Sequence, residues 1–343
     1  MTFGKKMKIC LLSGLIAAFA GSILVFALSE AVRMFAVAGL IMAAVIFAVS
    51  LIAGFVLEGK PSKIRIPVFA VIIVVSVCSV LCFSLYTVGK RITFPGSFDE
   101  NAYDDLCDME DRVLEINIDG LCGWRIPASA VPESEARQVI LYFGGNGENS
   151  SRKVENILNN EKLNFLHERY DFIVIDYPSY GMSEGVLTER SLEAYTLDVY
   201  NYVSSMDTTS GITLMSYSIG NGPAMYLASR EDVQLDSMIM LAPYNSGYDL
   251  YNATVNVFYG PLRLLVAYKL PCYKYAREVD CPVTMIASAD DEVIPIESSR
   301  NLFSSLSSDS ASFITVEGIG HNDFFASADV ISAIMNSLGV SSR

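Results

Sequence analysis

Three long uncharged runs fill most of the first ninety residues and constrain this chain more than anything after them. Ile9–Leu28, Met34–Leu57 and Ile66–Val88 are 20, 24 and 23 residues long. A helix of about 20 apolar residues crosses the hydrocarbon layer of a bilayer. Inside that layer a helix satisfies its own backbone polar groups, which an irregular chain cannot do. Three such runs, separated only by short polar breaks, predict three membrane-spanning helices rather than helices buried in a protein core. The composition agrees, with 52% hydrophobic residues and a mean hydropathy of +0.37. Ala27-Leu28-Ser29 has the small-residue character of a signal-peptide cleavage site. The length of the first run and the second run close behind it favour an uncleaved helix.

Flanking charge sets the expected orientation. Lys5, Lys6 and Lys8 precede the first run, and Lys60, Lys63 and Arg65 separate the second from the third. The other side has Arg33, then Lys90 and Arg91. Positive flanks stay in the cytoplasm. The N-terminus and second loop are therefore expected inside, and everything after Val88 outside, whether or not the first run is cleaved. The expected organisation is a transmembrane region over 1–90, a linker over 91–111 and one large domain over 112–343.

Residues 89–343 hold 17 of the 24 basic and 36 of the 38 acidic residues, a net charge of −19. Such a surface repels nucleic acid and anionic headgroups, so no nucleic-acid partner is expected. Its simplest role is solubility. Four cysteines fall in this part: Cys107, Cys122, Cys272 and Cys281. In an oxidising compartment, closeness along the chain suggests disulfides Cys107–Cys122 and Cys272–Cys281. Four ordinary buried thiols are the other reading, and the sequence leaves both open. With no C-x2-C and only two histidines, no zinc site is expected. No other metal and no cofactor is expected either.

Asp99–Asp111 is acidic and reads as an exposed lead-in. Short apolar strands are expected at Val113–Ile118, Leu121–Ile126, Val139–Phe143, Phe172–Ile175, Ile212–Met215, Ser237–Leu241, Val283–Ala287 and Phe313–Val316. Helices are expected at Ser151–His167, Glu189–Met206, Ile219–Ser229, near Ile296–Leu306, and at Phe324–Leu338. Strands alternating with helices imply a mostly parallel sheet covered on both faces. Tyr244–Ala276 interrupts the alternation and reads as a small cap over a pocket.

Four segments could carry chemistry. Ser216-Tyr217-Ser218-Ile219-Gly220 follows an apolar strand and precedes a helical pattern. A nucleophilic serine on a tight strand-to-helix turn needs small residues two before and two after it, which favours Ser218 over Ser216. His321, in Gly318-Ile319-Gly320-His321-Asn322-Asp323, sits in a loop ahead of a helix. It is a better base than His167, which ends an amphipathic helix. Asp290, Asp291 and Glu292 follow a strand and could orient the histidine. Gly144-Gly145-Asn146-Gly147 also follows a strand, where backbone N–H groups can meet a developing negative oxygen. No Lys-Ser/Thr follows it, which excludes a P-loop.

With these segments in the order serine, acid, histidine, residues 112–340 resemble the α/β-hydrolase family. They most resemble its membrane-associated branch, which includes depalmitoylating thioesterases. Gly144-Gly145-Asn146 is similar to the family's H-G-N, with glycine in place of histidine. Asp176-Tyr177-Pro178-Ser179-Tyr180-Gly181-Met182-Ser183-Glu184-Gly185 is similar to its D-Y-x-G-Y-G-x-S-x-G loop, and Ser216–Gly220 to its G-x-S-x-G, with Ser216 as a departure. Ser288–Ile294 is similar to G-x-x-D-x-V-I and aligns the acid with Asp291. Gly318–Asp323 matches G-x-G-H-N-D in full.

Together with the three apolar runs, the resemblance gives the expected architecture: three transmembrane helices followed by an α/β-hydrolase domain, with a mostly parallel eight-stranded sheet and a small cap at about 244–276. It implies a serine hydrolase cleaving an ester or thioester through Ser218, Asp291 and His321, with an oxyanion hole at the N–H groups of Asn146 and Ile219. The expected partners are an acylated small molecule, lipid or peptide, and the membrane. A serine peptidase or acyltransferase with the same triad, or a non-catalytic binding module of the same fold, would share these motifs.

The charge argument yields a direct expectation. Alkaline phosphatase fused after Arg343 should be active, and a green fluorescent protein fused there should stay dark. The opposite pair of results would refute the orientation.

Overall fold

The computed structural model describes residues 59–109, 112–132, 134–307 and 310–340, with Ala44 and Val49 as isolated helical positions. The chain divides into two compact units, Met1–Lys90 and Arg91–Arg343. The expected spans at 9–28 and 34–57 lie outside the described residues apart from Ala44 and Val49. The third expected span falls within helix α1, Ser62–Thr93. The most apolar 18-residue window of its Ser62–Arg91 stretch has a mean hydropathy of 2.9 and none of it is buried, so the helix is long and apolar enough to cross a bilayer. Ser79 and Thr87 return their hydroxyls to the carbonyls of Val75 and Phe83, so these polar groups need no partner outside the helix.

The second unit is built on eight strands: β1 Leu114–Ile118, β2 Leu121–Ile126, β3 Arg137–Phe143, β4 Tyr170–Ile175, β5 Thr209–Tyr217, β6 Ser237–Leu241, β7 Val283–Ser288 and β8 Ala311–Val316. Their order is β1-β2-β4-β3-β5-β6-β7-β8. Only β2 runs against the others, pairing antiparallel with β1 and β4. The mostly parallel eight-stranded sheet expected from the sequence is thus present. β4 is buried along its whole length, as a strand covered on both faces must be.

Around the sheet lie α2 Glu100–Cys107, α3 Ser150–Leu158, α4 Phe165–Glu168, α5 Glu189–Ser205, α6 Asn221–Ala228, α7 Gly247–Thr254, α8 Cys272–Tyr275, α9 Ile296–Phe303 and α10 Ala328–Ser337. α5 buries Leu192, Tyr195, Val199 and Val203 on one face. Its Thr188 cap and Ser191 satisfy each other's backbone N–H groups, which fixes where the helix starts.

Three local expectations need correction. The single helix expected over Ser151–His167 breaks into α3, a 3-10 turn at Glu161–Leu163 and α4. Asn159 ends α3, and the Asn160 side chain accepts the Lys162 N–H to start the turn. Asparagine competes with the helix for backbone partners. The acidic lead-in is not a free linker: Asp99 caps α2, which buries Ala102 and Leu106. The cysteine pairs suggested by chain closeness are not bonded, since none of Cys107, Cys122, Cys272 and Cys281 is in a disulfide. Cys122 instead takes a hydrogen bond from Asn117 Nδ2 at 3.3 Å, and Cys272 is fully buried at the start of α8.

The end of β4 is tied to α3 by Asp176, whose carboxylate accepts the Ser150 N–H at 2.6 Å and hydroxyl at 2.7 Å. Burial lifts its pKa to about 6 against the pull of these donors. A raised carboxyl pKa stabilises the fold most below the unfolded value and loses that contribution as pH rises through about 6. The stability advantage of wild type over Asp176→Asn should therefore grow by on the order of 1 kcal/mol between pH 7.5 and pH 5. Chemical denaturation in detergent would measure it. A pH-independent difference would contradict the assignment.

Candidate active site

Ser218 stands where β5 gives way to a 3-10 turn and then α6, with its backbone in the left-handed region at φ +53°. The turn is tight enough to dictate its flanks. A Cβ on Gly220 would fall 2.3 Å from the Phe143 carbonyl oxygen, so only glycine fits two residues on. Two residues before, Ser216 stands where glycine is usual. Ser216 is fully buried, and its hydroxyl donates to Asn221 Oδ1 at 2.7 Å, so the departure from glycine leaves no unpaired polar group. Asn221 Nδ2 donates onward to the carbonyls of Ser218 and Leu241, each at 2.8 Å. One buried amide thus clamps the turn to the end of β6.

His321 opens a 3-10 turn after Gly320. Its Nε2 lies 2.8 Å from Ser218 Oγ, and its Nδ1 lies 2.8 Å from Asp291 Oδ2. The histidine side chain is 8% exposed and that of Asp291 2%. Asp291 Oδ1 accepts the N–H groups of Val293 and Ile294, which fixes the carboxylate in the turn after β7. Its two neighbours brace the histidine loop. Asp290 accepts the Gly318 N–H at 2.7 Å and Glu292 the His321 N–H at 3.0 Å. Both were read from sequence only as alternatives to Asp291.

Tyr217 closes the arrangement from the other side. Its hydroxyl donates to the His321 carbonyl at 2.5 Å, and its ring stacks on the imidazole at 5.4 Å between centroids. Burial, reinforced by the carboxylates around it, raises the phenol pKa, so it remains a donor. The second histidine, His167, lies before the N-terminal end of β4, whereas Ser218 follows the C-terminal end of parallel β5. Burial lowers its pKa, and its Nε2 has no hydrogen-bond partner.

The loop after β3 passes beside Ser218. A Cβ on Gly145 would meet the Tyr217 ring at 2.7 Å and Ser218 Cβ at 3.7 Å, so the backbone approaches closely only because glycine stands there. The Ile219 N–H belongs to the first turn after the elbow, where N–H groups have no intrahelical acceptor. Asn146 lies on the facing loop. The Tyr177 hydroxyl holds the Gly144 carbonyl at 2.9 Å, and the Tyr244 hydroxyl holds the Ile219 carbonyl at 3.0 Å.

A charged pair anchors the same loop. Glu148 accepts the Gly145 N–H at 2.9 Å and the Tyr142 hydroxyl at 2.7 Å, and it pairs with Lys153 Nζ at 2.8 Å. Lys153 is buried, with its ammonium 3.4 Å from the centre of the Phe325 ring. Burial opposes ionisation of Glu148. Lys153 and the two hydrogen-bond donors outweigh it and leave the carboxyl below its usual range. Sequence reasoning missed this pair, Tyr217 and Asn221, because each acts through a contact that no motif spacing announces. Among the described residues no group of three or more His, Cys, Asp or Glu converges as a metal site.

No family model matches the chain. An uncharacterised protein of Mycobacterium tuberculosis is 23% identical over 262 residues, covering 75% of this chain and 88% of the relative. The Alpha/beta hydrolase domain-containing protein aho-3 of Caenorhabditis elegans is 30% identical over 160 residues, covering 46% of each chain. The lysophosphatidylserine lipase ABHD12 of Macaca fascicularis is 22% identical over 194 residues, 50% of this chain and 46% of the lipase. Among solved structures, a Pyrococcus furiosus esterase superposes with a TM-score of 0.53 at 15% identity, covering 72% of this chain and 97% of the esterase. Ferulic-acid-bound Est1E from Butyrivibrio proteoclasticus gives 0.51 at 16% identity, covering 66% and 99%. With its strand order, its turn at Ser218 and these likenesses, the chain has the α/β-hydrolase fold and is similar in sequence to proteins of that superfamily.

Proposed function

We propose that this chain is a membrane-anchored serine hydrolase whose catalytic domain faces away from the cytoplasm and cleaves an ester or thioester through an acyl-enzyme. The observation that carries the reading is the unbroken hydrogen-bonded line from Ser218 Oγ through His321 to Asp291, two contacts of 2.8 Å each. Ionised Asp291 only accepts, so it selects the imidazole tautomer with its proton on Nδ1 and leaves Nε2 to accept from Ser218. As Ser218 Oγ attacks the acyl carbonyl, its proton passes to Nε2. The carbonyl oxygen becomes an oxyanion facing the N–H groups of Ile219 and Asn146. His321 then gives the proton to the departing alkoxide or thiolate. Water, deprotonated by the same nitrogen, releases the acid and restores Ser218. Each oxyanion donor contributes about 10²- to 10³-fold to a reaction of this kind.

The substrate class follows from the anchor and the cap. An apolar helix holds the chain at a bilayer, where acylated lipids and peptides are concentrated. The lysophosphatidylserine lipase among the relatives carries its activity on a related sequence. An acyl ester or thioester of a lipid or lipidated peptide fits this placement best.

Ser218→Ala should abolish labelling by a fluorophosphonate probe and all ester turnover while the circular dichroism stays unchanged. Ser216→Ala should keep the labelling, because its hydroxyl faces Asn221 and not substrate. The reverse pattern would move the nucleophile to Ser216.

The acids should separate just as clearly. Asp291→Asn should lower kcat by about 10⁴, the scale seen when such a carboxylate is neutralised in a serine protease. Asp290→Asn weakens one hydrogen bond to the Gly318 backbone and should cost no more than about tenfold. Equal losses in p-nitrophenyl ester hydrolysis would contradict the division of roles.

A further inference from the structure

The cap exposes a band of apolar side chains that nothing in the second unit covers. Val255, Val257, Tyr259, Leu262 and Leu264 are 45%, 38%, 55%, 37% and 80% exposed. Their neighbours Tyr251, Phe258, Val266 and Tyr268 are buried. The band is built rather than loose. The Val257 N–H bonds the Val255 carbonyl and the Tyr259 N–H bonds that of Val257, which repeats the backbone every second residue. Phe258, between them, packs its ring on Tyr251 at 5.3 Å and donates its N–H to Asn252 Oδ1 at 2.9 Å. An apolar band held in this way on a soluble face marks an interaction surface.

Charge and tethering select its partner. From Leu250 to Ala267 the sole charged residue is Arg263, although residues 89–343 together carry a net charge of −19. Arg263 lies 5.2 Å over the Tyr248 ring. A strip without acid, with tyrosines and one arginine at its border, suits the headgroup boundary of a bilayer, while the acidic remainder is repelled. The cap is also leashed to the anchor. Thr93 ends α1, five residues or about 8 Å of helix beyond Val88. Phe94 follows it and packs its ring 4.8 Å from Tyr268. Leu264 is four residues before Tyr268, at most about 14 Å of chain. The other end of the cap is rooted at the elbow, where Tyr244 holds the Ile219 carbonyl.

We propose that Val255, Val257, Tyr259, Leu262 and Leu264 dock the cap into the headgroup layer of the bilayer that holds α1, so that the site takes acylated substrate directly from that layer. The proposal rests on the membrane anchor of the function above, and not on the identity of the nucleophile.

Tryptophan fluorescence tests it in the full chain. Trp124 is the single tryptophan and is buried, so an added tryptophan reports its own surroundings. Leu264→Trp and Tyr259→Trp would be reconstituted in bilayers with brominated or ordinary acyl chains. Val186→Trp, 71% exposed and outside the cap, is the control. Brominated lipid should remove most of the added emission of both cap variants and leave that of the control. A blue-shifted but unquenched cap tryptophan would mean that protein covers the band, either a second copy or residues 1–58, and would overturn the proposal. Unshifted, unquenched emission would mean free solvent and overturn it equally. A chain that does not enter bilayers would refute the anchor, and the proposal with it, without touching the triad.

Discussion

The left-handed backbone of Ser218, at φ +53°, is the constraint around which the site is arranged. Holding a non-glycine residue there costs on the order of 1–3 kcal/mol, and it persists only where the surroundings over-determine it. Here they do. Gly220 lets the turn press against the Phe143 and Gly144 carbonyls, and Asn221 ties the turn to β6 with hydrogen bonds to Ser218 and Leu241. The strain lifts the Ser218 side chain out of the sheet toward the loops that follow β7 and β8. Those loops are laced by Asp290, Glu292 and Ser288, the last donating to the Ile319 carbonyl at 2.6 Å. The His321 ring is therefore delivered to the serine by backbone hydrogen bonds rather than by its own two ring contacts alone.

The same economy holds in the loop after β3. A loop of small residues can approach Ser218 closely, but it has few side chains with which to hold itself. Glu148 supplies that hold from the end of the loop, gripping the Gly145 N–H while Lys153 offsets the cost of burying its charge. Tyr142, Tyr177, Tyr217 and Tyr244 add hydroxyls to fixed acceptors around the site. Rigid phenols lose little conformational freedom on ordering, which suits them to this task.

Much of the sheet was legible because its strands are short apolar runs, most of them bounded on at least one side by glycine, proline or aspartate. Val139–Phe143 and Phe172–Ile175 could be little else. The meeting of Ser218, His321 and Asp291 was legible for a different reason: with two histidines, and only His321 in a loop after a strand, the choice of candidate base was narrow. Legibility failed where a local signal had two meanings. The amphipathic pattern from Ser151 to His167 runs on through asparagines that break the helix. The acidity of Asp99–Asp111 hides the two apolar residues that make it a helix. Chain closeness made Cys272 and Cys281 look like partners, although burial at the start of α8 fixes the first. Ser216 looked like a weakness of the elbow motif until its hydroxyl met Asn221. The Glu148–Lys153 pair was beyond reach, since only the folded chain shows the carboxylate turned back on Gly145.

The central claim is that Ser218 carries the acyl group. Rapid mixing with a p-nitrophenyl ester, acid quenching within the first turnover and peptide mass spectrometry would test it most directly. The account predicts a burst of one p-nitrophenol per active chain and an acyl mass on the peptide containing Ser218. Turnover without a burst and with no adduct, or an adduct on any other side chain, would contradict it.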